Sequence, residues 1–135
     1  TFDTYINQQF VYQQRADGLI VATPTGSTAY ALSGGGPILH PSLDAIELVA
    51  MFPHTLSSRP LVVPNDSHIE VHLCASNSQP AGISCDGLAR IDAPAESIIT
   101  IKKNDQHIQL IHPNDYTYYN TLREKLGWER YAKRK

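Results

Sequence analysis

One stretch, DGLIVATPTGSTAYALSGGGP at residues 17–37, gathers a carboxylate, several hydroxyls, an aromatic ring and closely spaced glycines behind a short apolar run. Pro24 fixes its own φ and pushes Thr23 toward an extended conformation, so the apolar run must end there. Gly26 permits backbone geometry that other residues reach only at a cost. Ser27 and Thr28 then stand where a helical turn begins, beside unpaired N–H groups and the positive end of a helix dipole. Those groups suit an anion or a ribose diol. Tyr30 adds a flat face for an adenine or nicotinamide ring. Asp17 can accept hydrogen bonds from a ribose or an amide, and Arg15 can pair with Asp17 or face an anionic ligand. The same residues also make a capped turn after an Asp-Gly corner, and these arguments leave the two readings level.

Other constellations carry less. No Lys follows the glycine where a Walker loop requires one. Gly26-Ser27 lacks the second glycine of a hydrolase elbow. His68, Glu70 and His72 share one face of a strand, where two imidazoles and a carboxylate could ligate a metal. No fourth ligand accompanies them, and a half-buried strand with Ile69, Val71 and Leu73 on its other face requires such a polar stripe anyway. Cys74 and Cys85 form neither a CxxC nor a Cys/His grouping, which reads as two reduced thiols.

The pattern around these side chains predicts mostly strands. Apolar and polar residues alternate on both sides of Asn7-Gln8, which predicts a hairpin of Phe2–Ile6 and Phe10–Gln13. Leu19–Ala22, Ile46–Met51, Leu61–Val63 and His68–Cys74 read as further strands. Thr28–Ser33 reads as one or two helical turns, capped by Ser27 or Thr28 and stopped by Gly34. Ile83–Cys85 and Leu88–Ile91 flank an Asp-Gly turn and read as a hairpin. Ile98–Lys102 and Ile108–Ile111, around Asn104-Asp105, read as another. Tyr116–Leu126 reads as a helix with Asn114 or Asp115 as cap and Gly127 as stop. Short strands with polar turns and one convincing helix indicate a mainly β domain, a sandwich or a distorted barrel.

With 135 residues the chain is one domain's worth, and 41% hydrophobic with 18% charged residues is a globular composition. A net charge of −2 supplies no global basic field to draw in nucleic acid or an anionic membrane. The basic tail Arg130, Lys133, Arg134 and Lys135 reads as a solvated end. Neither a spanning apolar stretch nor a signal-peptide pattern is present. Met51 is the only methionine and Thr1 comes first, so a further segment is expected upstream.

Four segments together resemble the signature of the bacterial NAD kinases: DGLIVATPTGSTAYALSGGGPI (17–38), HPSLDAIELVAMFPHTLSSRPLVV (40–63), ISCDG (83–87) and IHPNDYTYYNTLREKLGW (111–128). The resemblance implies phosphoryl transfer from ATP or polyphosphate to the 2′-hydroxyl of the adenosine ribose of NAD, giving NADP, with a divalent metal (Mg or Mn). It implies a cytoplasmic homo-oligomer with NAD as its small-molecule substrate and neither nucleic acid nor membrane as partner. It also implies an N-terminal α/β domain and a C-terminal all-β domain, of which residues 1–135 would be the second. By the same resemblance Asp17 contacts substrate and Arg15 lines its pocket. Thr28, Ala29 and Tyr30, with Ala31, Leu32 and Ser33 after them, cradle the dinucleotide.

Two departures qualify this. The family's Gly-Gly-Asp motif, source of its proposed base, and its Asn-Glu pair are not in this chain, so no catalytic base is expected here and the chain alone is expected to be inactive. Leu88 stands where the family commonly has Gln after Asp-Gly. The competing expectations are a related lipid or sphingoid-base kinase and a non-catalytic nucleotide-binding or regulatory domain.

Overall fold

The computed structural model describes residues 1–128; the basic tail read as a solvated end lies outside them. In order, the elements are β1 (Phe2–Ile6), β2 (Gln9–Gln14), β3 (Gly18–Ala22), a 3-10 turn (Thr25–Thr28), α1 (Tyr30–Ser33) and β4 (Ala45–Met51). There follow β5 (Leu61–Pro64), β6 (Ile69–Leu73), β7 (Ala81–Ser84), β8 (Arg90–Ala93), β9 (Ile98–Ile101) and α2 (Tyr118–Leu126). The chain divides into two compact units at residues 103 and 104, and every described strand belongs to the first.

Three antiparallel sheets build that first unit. One has the order β2-β1-β6-β9, the second β3-β4-β5, and the third pairs β7 with β8. The β1–β2 hairpin turns through Asn7 and Gln8, both at positive φ (50° and 67°), the geometry whose twist suits a two-residue hairpin loop. Asn7 also fastens this turn to the start of β6, accepting the His68 N–H on Oδ1 at 2.9 Å. A register shift at Thr4/Tyr5 bulges the hairpin midway.

Alternation decides which side chains meet. On β6, Ile69, Val71 and Leu73 are buried while Glu70 and His72 face outward. Ile69 packs with Ile46 and Leu48 of β4 and with Ile6, Leu19, Val21, Val63 and Ile101, so the four- and three-stranded sheets meet face to face. Phe2, Val71 and Leu73 pack with Ala93, Ala81 and Ile83, which lays the β7–β8 hairpin on the four-stranded sheet. Each fully buried aliphatic side chain contributes about 1.5–3 kcal/mol relative to exposure, so these two clusters dominate the stability of the unit. The layered, mainly β expectation is met.

Three local expectations are corrected. Ile98–Ile101 does not pair with Ile108–Ile111: its hydrogen-bonding edge is taken by β6, in register from Ile69↔Ile101 to His72↔Ile98. Residues 108–111 form no strand, and Ile108 and Ile111 are more than 90% exposed. The Asp-Gly hairpin is real, but its strands begin further out, pairing Ala81↔Ala93 through Ser84↔Arg90. In the second unit α2 starts two residues late, with Thr117 as N-cap in an extended conformation and no side-chain capping bond. Its stop is as expected: Gly127 is left-handed, and Trp128 N–H donates to the Arg123 carbonyl at 2.9 Å.

Candidate functional site

β3 delivers its end at Ala22, where Thr23 and Pro24 turn the chain into the 3-10 turn. Thr23 Oγ1 accepts the Gly26 N–H at 3.2 Å. Ser27 lies wholly inside: its Oγ donates to the Pro24 carbonyl at 2.6 Å and accepts the Leu39 N–H at 3.0 Å. Ser27 is therefore a tie between the two ends of the loop and caps no helix, contrary to the sequence reading. Ala29 occupies the N-cap of α1, without a side-chain bond. The four residues of α1 align too few peptides to build the dipole invoked for an anion site. Gly26 is not among the positive-φ glycines, so its conformational freedom is not what the turn uses.

The loop lies on the face of β4 opposite the four-stranded sheet. Ala31 is 1% exposed and packs with Ala22, Val49 and Ile20, so of the expected site residues its side chain is covered by the core. Ala29, Tyr30 and Ser33 are exposed, and Thr28 and Leu32 half-buried. Tyr30, at 65% exposure, presents most of its ring outward. Beyond α1 the chain runs so close to β4 that a Cβ added to Gly36 would sit 2.8 Å from Val49 Cγ2 and 2.9 Å from the Ala31 carbonyl oxygen. Only glycine fits there.

This return path brings the two halves of the expected site to one end of the sheet. Gly34 lies over Met51, whose sulfur is 2.8 Å from where its Cβ would be. Met51 pairs across from Gly18, and its carbonyl accepts the Asp17 N–H at 2.9 Å. The loop thus finishes beside the point at which Asp17 enters β3. One step earlier the Arg15 carbonyl accepts the His54 N–H at 2.9 Å, which holds the 14–17 segment against residues 51–54. Arg15 and Asp17 are both exposed and form no ion pair with each other. Both side chains are left facing solvent.

Two other charged features differ in kind. Glu70 accepts from His72 Nε2 at 2.9 Å and lies 3.2 Å from His68 Nε2, and these contacts, His72 first, hold its carboxyl below the usual range. The Tyr5 ring packs on His72, 4.5 Å between centroids. The trio is closed on itself, and no group of three His, Cys, Asp or Glu suited to a metal occurs among the described residues. Glu47, on β4 beneath the loop, is wholly buried, has no partner for either carboxylate oxygen, and burial raises its pKa. Sequence reasoning passed over Glu47, because a Glu flanked by Ile46 and Leu48 reads as the outward residue of an ordinary strand. The run Gly34-Gly35-Gly36 was the available signal that backbone would cover that face.

The Asp86-Gly87 turn closes through a Leu88 N–H to Cys85 carbonyl bond of 2.9 Å, with φ of 52° and 70° at its two central residues. Leu88 is 74% exposed. Both cysteines are free thiols, Cys74 half-buried and Cys85 exposed. No described helix is long and apolar enough to cross a membrane.

Known proteins share this arrangement. The family model for the ATP-NAD kinase C-terminal domain matches residues 1–113. An NAD kinase from Legionella pneumophila (strain Corby) is 57% identical over 129 residues, which is 95% of this chain and 43% of that protein. An NAD kinase from Coxiella burnetii (strain RSA 493) is 55% identical over 131 residues, 97% of this chain and 44% of that protein. Among solved structures, yeast NADH kinase complexed with NADH superposes with a TM-score of 0.85 at 29% identity, covering 99% of this chain and 42% of that one. An NAD kinase from Archaeoglobus fulgidus in complex with ATP gives a TM-score of 0.68 at 33% identity, covering 77% of this chain and 39% of that one. The chain spans less than half the length of these relatives.

Proposed function

This chain belongs to the NAD kinase family, matching its C-terminal domain, and from that premise we propose that it is the substrate-holding part of an enzyme that phosphorylates NAD to NADP. The observation that carries the reading is the convergence at one end of the β3–β4–β5 sheet. The exposed rim of the loop, from Ala29 to Ser33, finishes beside Asp17, whose carboxylate has no partner among the described residues. A dinucleotide fits such a rim by stacking a ring on Tyr30 and giving a ribose or amide hydrogen to Asp17. Arg15, Thr28, Leu32 and Ser33 border the same surface. Ala31 supports it from below.

Phosphoryl transfer asks mostly for positioning and for electrostatic stabilisation of the transferred group. The residues here supply positioning: they fix the ribose so that its 2′-hydroxyl can face the donor. The donor is ATP or polyphosphate; the relative from Archaeoglobus fulgidus was solved with ATP. No described side chain is assigned as the base, which the family signature places on the Gly-Gly-Asp motif. Mg or Mn would accompany the donor phosphates. The described residues do not fit a metal, since the cluster of His68, Glu70 and His72 is closed by its own hydrogen bonds. The enzyme is expected to be cytoplasmic and homo-oligomeric, with residues 1–135 acting as its β-rich substrate domain. A lipid kinase is the weaker reading, because Tyr30 and the polar TPTGSTAY run suit a dinucleotide better than an apolar alcohol.

The test is Asp17→Asn in the protein as its gene encodes it. Losing a charged acceptor worth about 1.5–3 kcal/mol should raise KM for NAD by at least about tenfold. The melting temperature should not move, since Asp17 is exposed and its N–H bond is backbone. An unchanged KM would remove Asp17 from the site. Residues 1–135 alone should form no NADP.

A further inference from the structure

Glu47 lies under the loop in a setting that does not suit a carboxylate. It is wholly buried, and neither oxygen has a hydrogen-bond partner. A charged carboxylate taken out of water without pairing is far more costly than a neutral acid, so such a group keeps its proton. Its neighbours offer no relief. Across the sheet it faces Ala22 on β3 and Val62 on β5. Above it lies Gly36, where an added Cβ would come within 3.2 Å of Glu47 Oε1.

Among the described residues no counter-charge packs against it. β3, β5, the 3-10 turn and the rest of β4 carry no titratable residue. Tyr30 on α1 and Asp17 before β3 are exposed, and Asp44 before β4 is exposed too. His40, past the Ser27 tie, has its Nδ1 bonded to Ser42 Oγ at 2.8 Å. The cover over Glu47 is meanwhile thin, a glycine run held to α1 by the Gly36 N–H to Ala31 carbonyl bond of 2.9 Å. That cover is the back of the loop whose front we read as the dinucleotide rim.

We propose that Glu47 is a positioning residue for this loop: as the uncharged acid it lets residues 29–36 close on β4, and loss of its proton opens them. The inference rests on the dinucleotide reading only for its consequence, weaker NAD binding as the loop opens.

The sign follows from which state holds the proton. In the open loop Glu47 meets water and titrates near its ordinary value of 4.5; in the closed loop burial raises it. Closure is therefore strongest below the ordinary value and is lost as pH rises toward the closed-state value, by up to about tenfold per pH unit.

Amide hydrogen exchange of residues 29–36, corrected for intrinsic rates and measured from about pH 5 to about pH 8 on the protein as its gene encodes it, reads this directly. Wild type should lose protection progressively as pH rises across that range, while residues 69–73 in the sheet interior do not change. Glu47→Gln, which keeps the shape without the titration, should be flat, and so should the apolar Glu47→Val. Flat protection in wild type, or the same slope in both variants, overturns the proposal. KM for NAD measured alongside should rise with pH in wild type only. An exchange slope without that rise upholds the proton-linked loop and overturns the dinucleotide reading instead.

Discussion

The loop from Ala22 to Gly36 and the hairpin tip from Ser84 to Arg90 both lie in segments that carry the family resemblance, yet opposite means hold them. The loop is fixed by contacts far along the chain: the Ser27 tie to Leu39, Ala31 against Val49, and Gly36 against β4. The hairpin tip is fixed by its own residues, through the positive φ of Asp86 and Gly87 and the single Leu88 to Cys85 bond. A loop tied at several points can hold Tyr30 in one place relative to Asp17. A tip fixed only locally is shaped but not anchored, and Leu88 on it is left in water. If the dinucleotide reading holds, its precise placement falls to the loop.

Substitutions can break this contrast in order of effect. Gly36→Ala should destabilise most, by about 3 kcal/mol, because the new methyl meets the Ala31 carbonyl oxygen as well as Val49 and the backbone cannot move aside cheaply. Urea unfolding reads it. A loss below about 0.5 kcal/mol, the level of an ordinary surface change, would mean the loop is not clamped on β4.

Ser27→Ala should follow at about 2 kcal/mol, since it leaves the buried Leu39 N–H without an acceptor. It should also raise KM for NAD, whereas a merely internal hydroxyl would affect stability alone. Gly87→Ala should cost about 1 kcal/mol, the local penalty of a Cβ at positive φ, with no change in KM. Leu88→Gln should be the smallest, within about 0.5 kcal/mol. If Leu88→Gln nonetheless lowers KM for NAD, the tip takes part in binding and the contrast between the two turns is blurred at its functional end.

Much of this molecule is local and was readable as such. Period-two alternation placed β6 and its inward Ile69, Val71 and Leu73, because successive side chains on a strand take opposite faces whatever the rest of the chain does. Asp86-Gly87 announced a turn because positive φ is a property of those residues themselves. The TPTGSTAY run marked the family.

What alternation cannot report is what lies on the other side of a strand. Ile98–Ile101 matched Ile108–Ile111 as well as it matched β6, and β6 took the edge. Ser27 read as a cap from its neighbours, but a carbonyl and an N–H at Pro24 and Leu39, joined only by the fold, claimed its hydroxyl. Glu47 stands between Ile46 and Leu48, where alternation alone makes it the wet side of β4, and a glycine run returning over that face made it the dry one. Sequence determined most of the strands, the Asn7-Gln8 and Asp86-Gly87 turns and the residues of the loop. Tertiary structure alone decided which partner each polar group found, because hydrogen bonds and burial depend on distances in space between residues far apart in the chain.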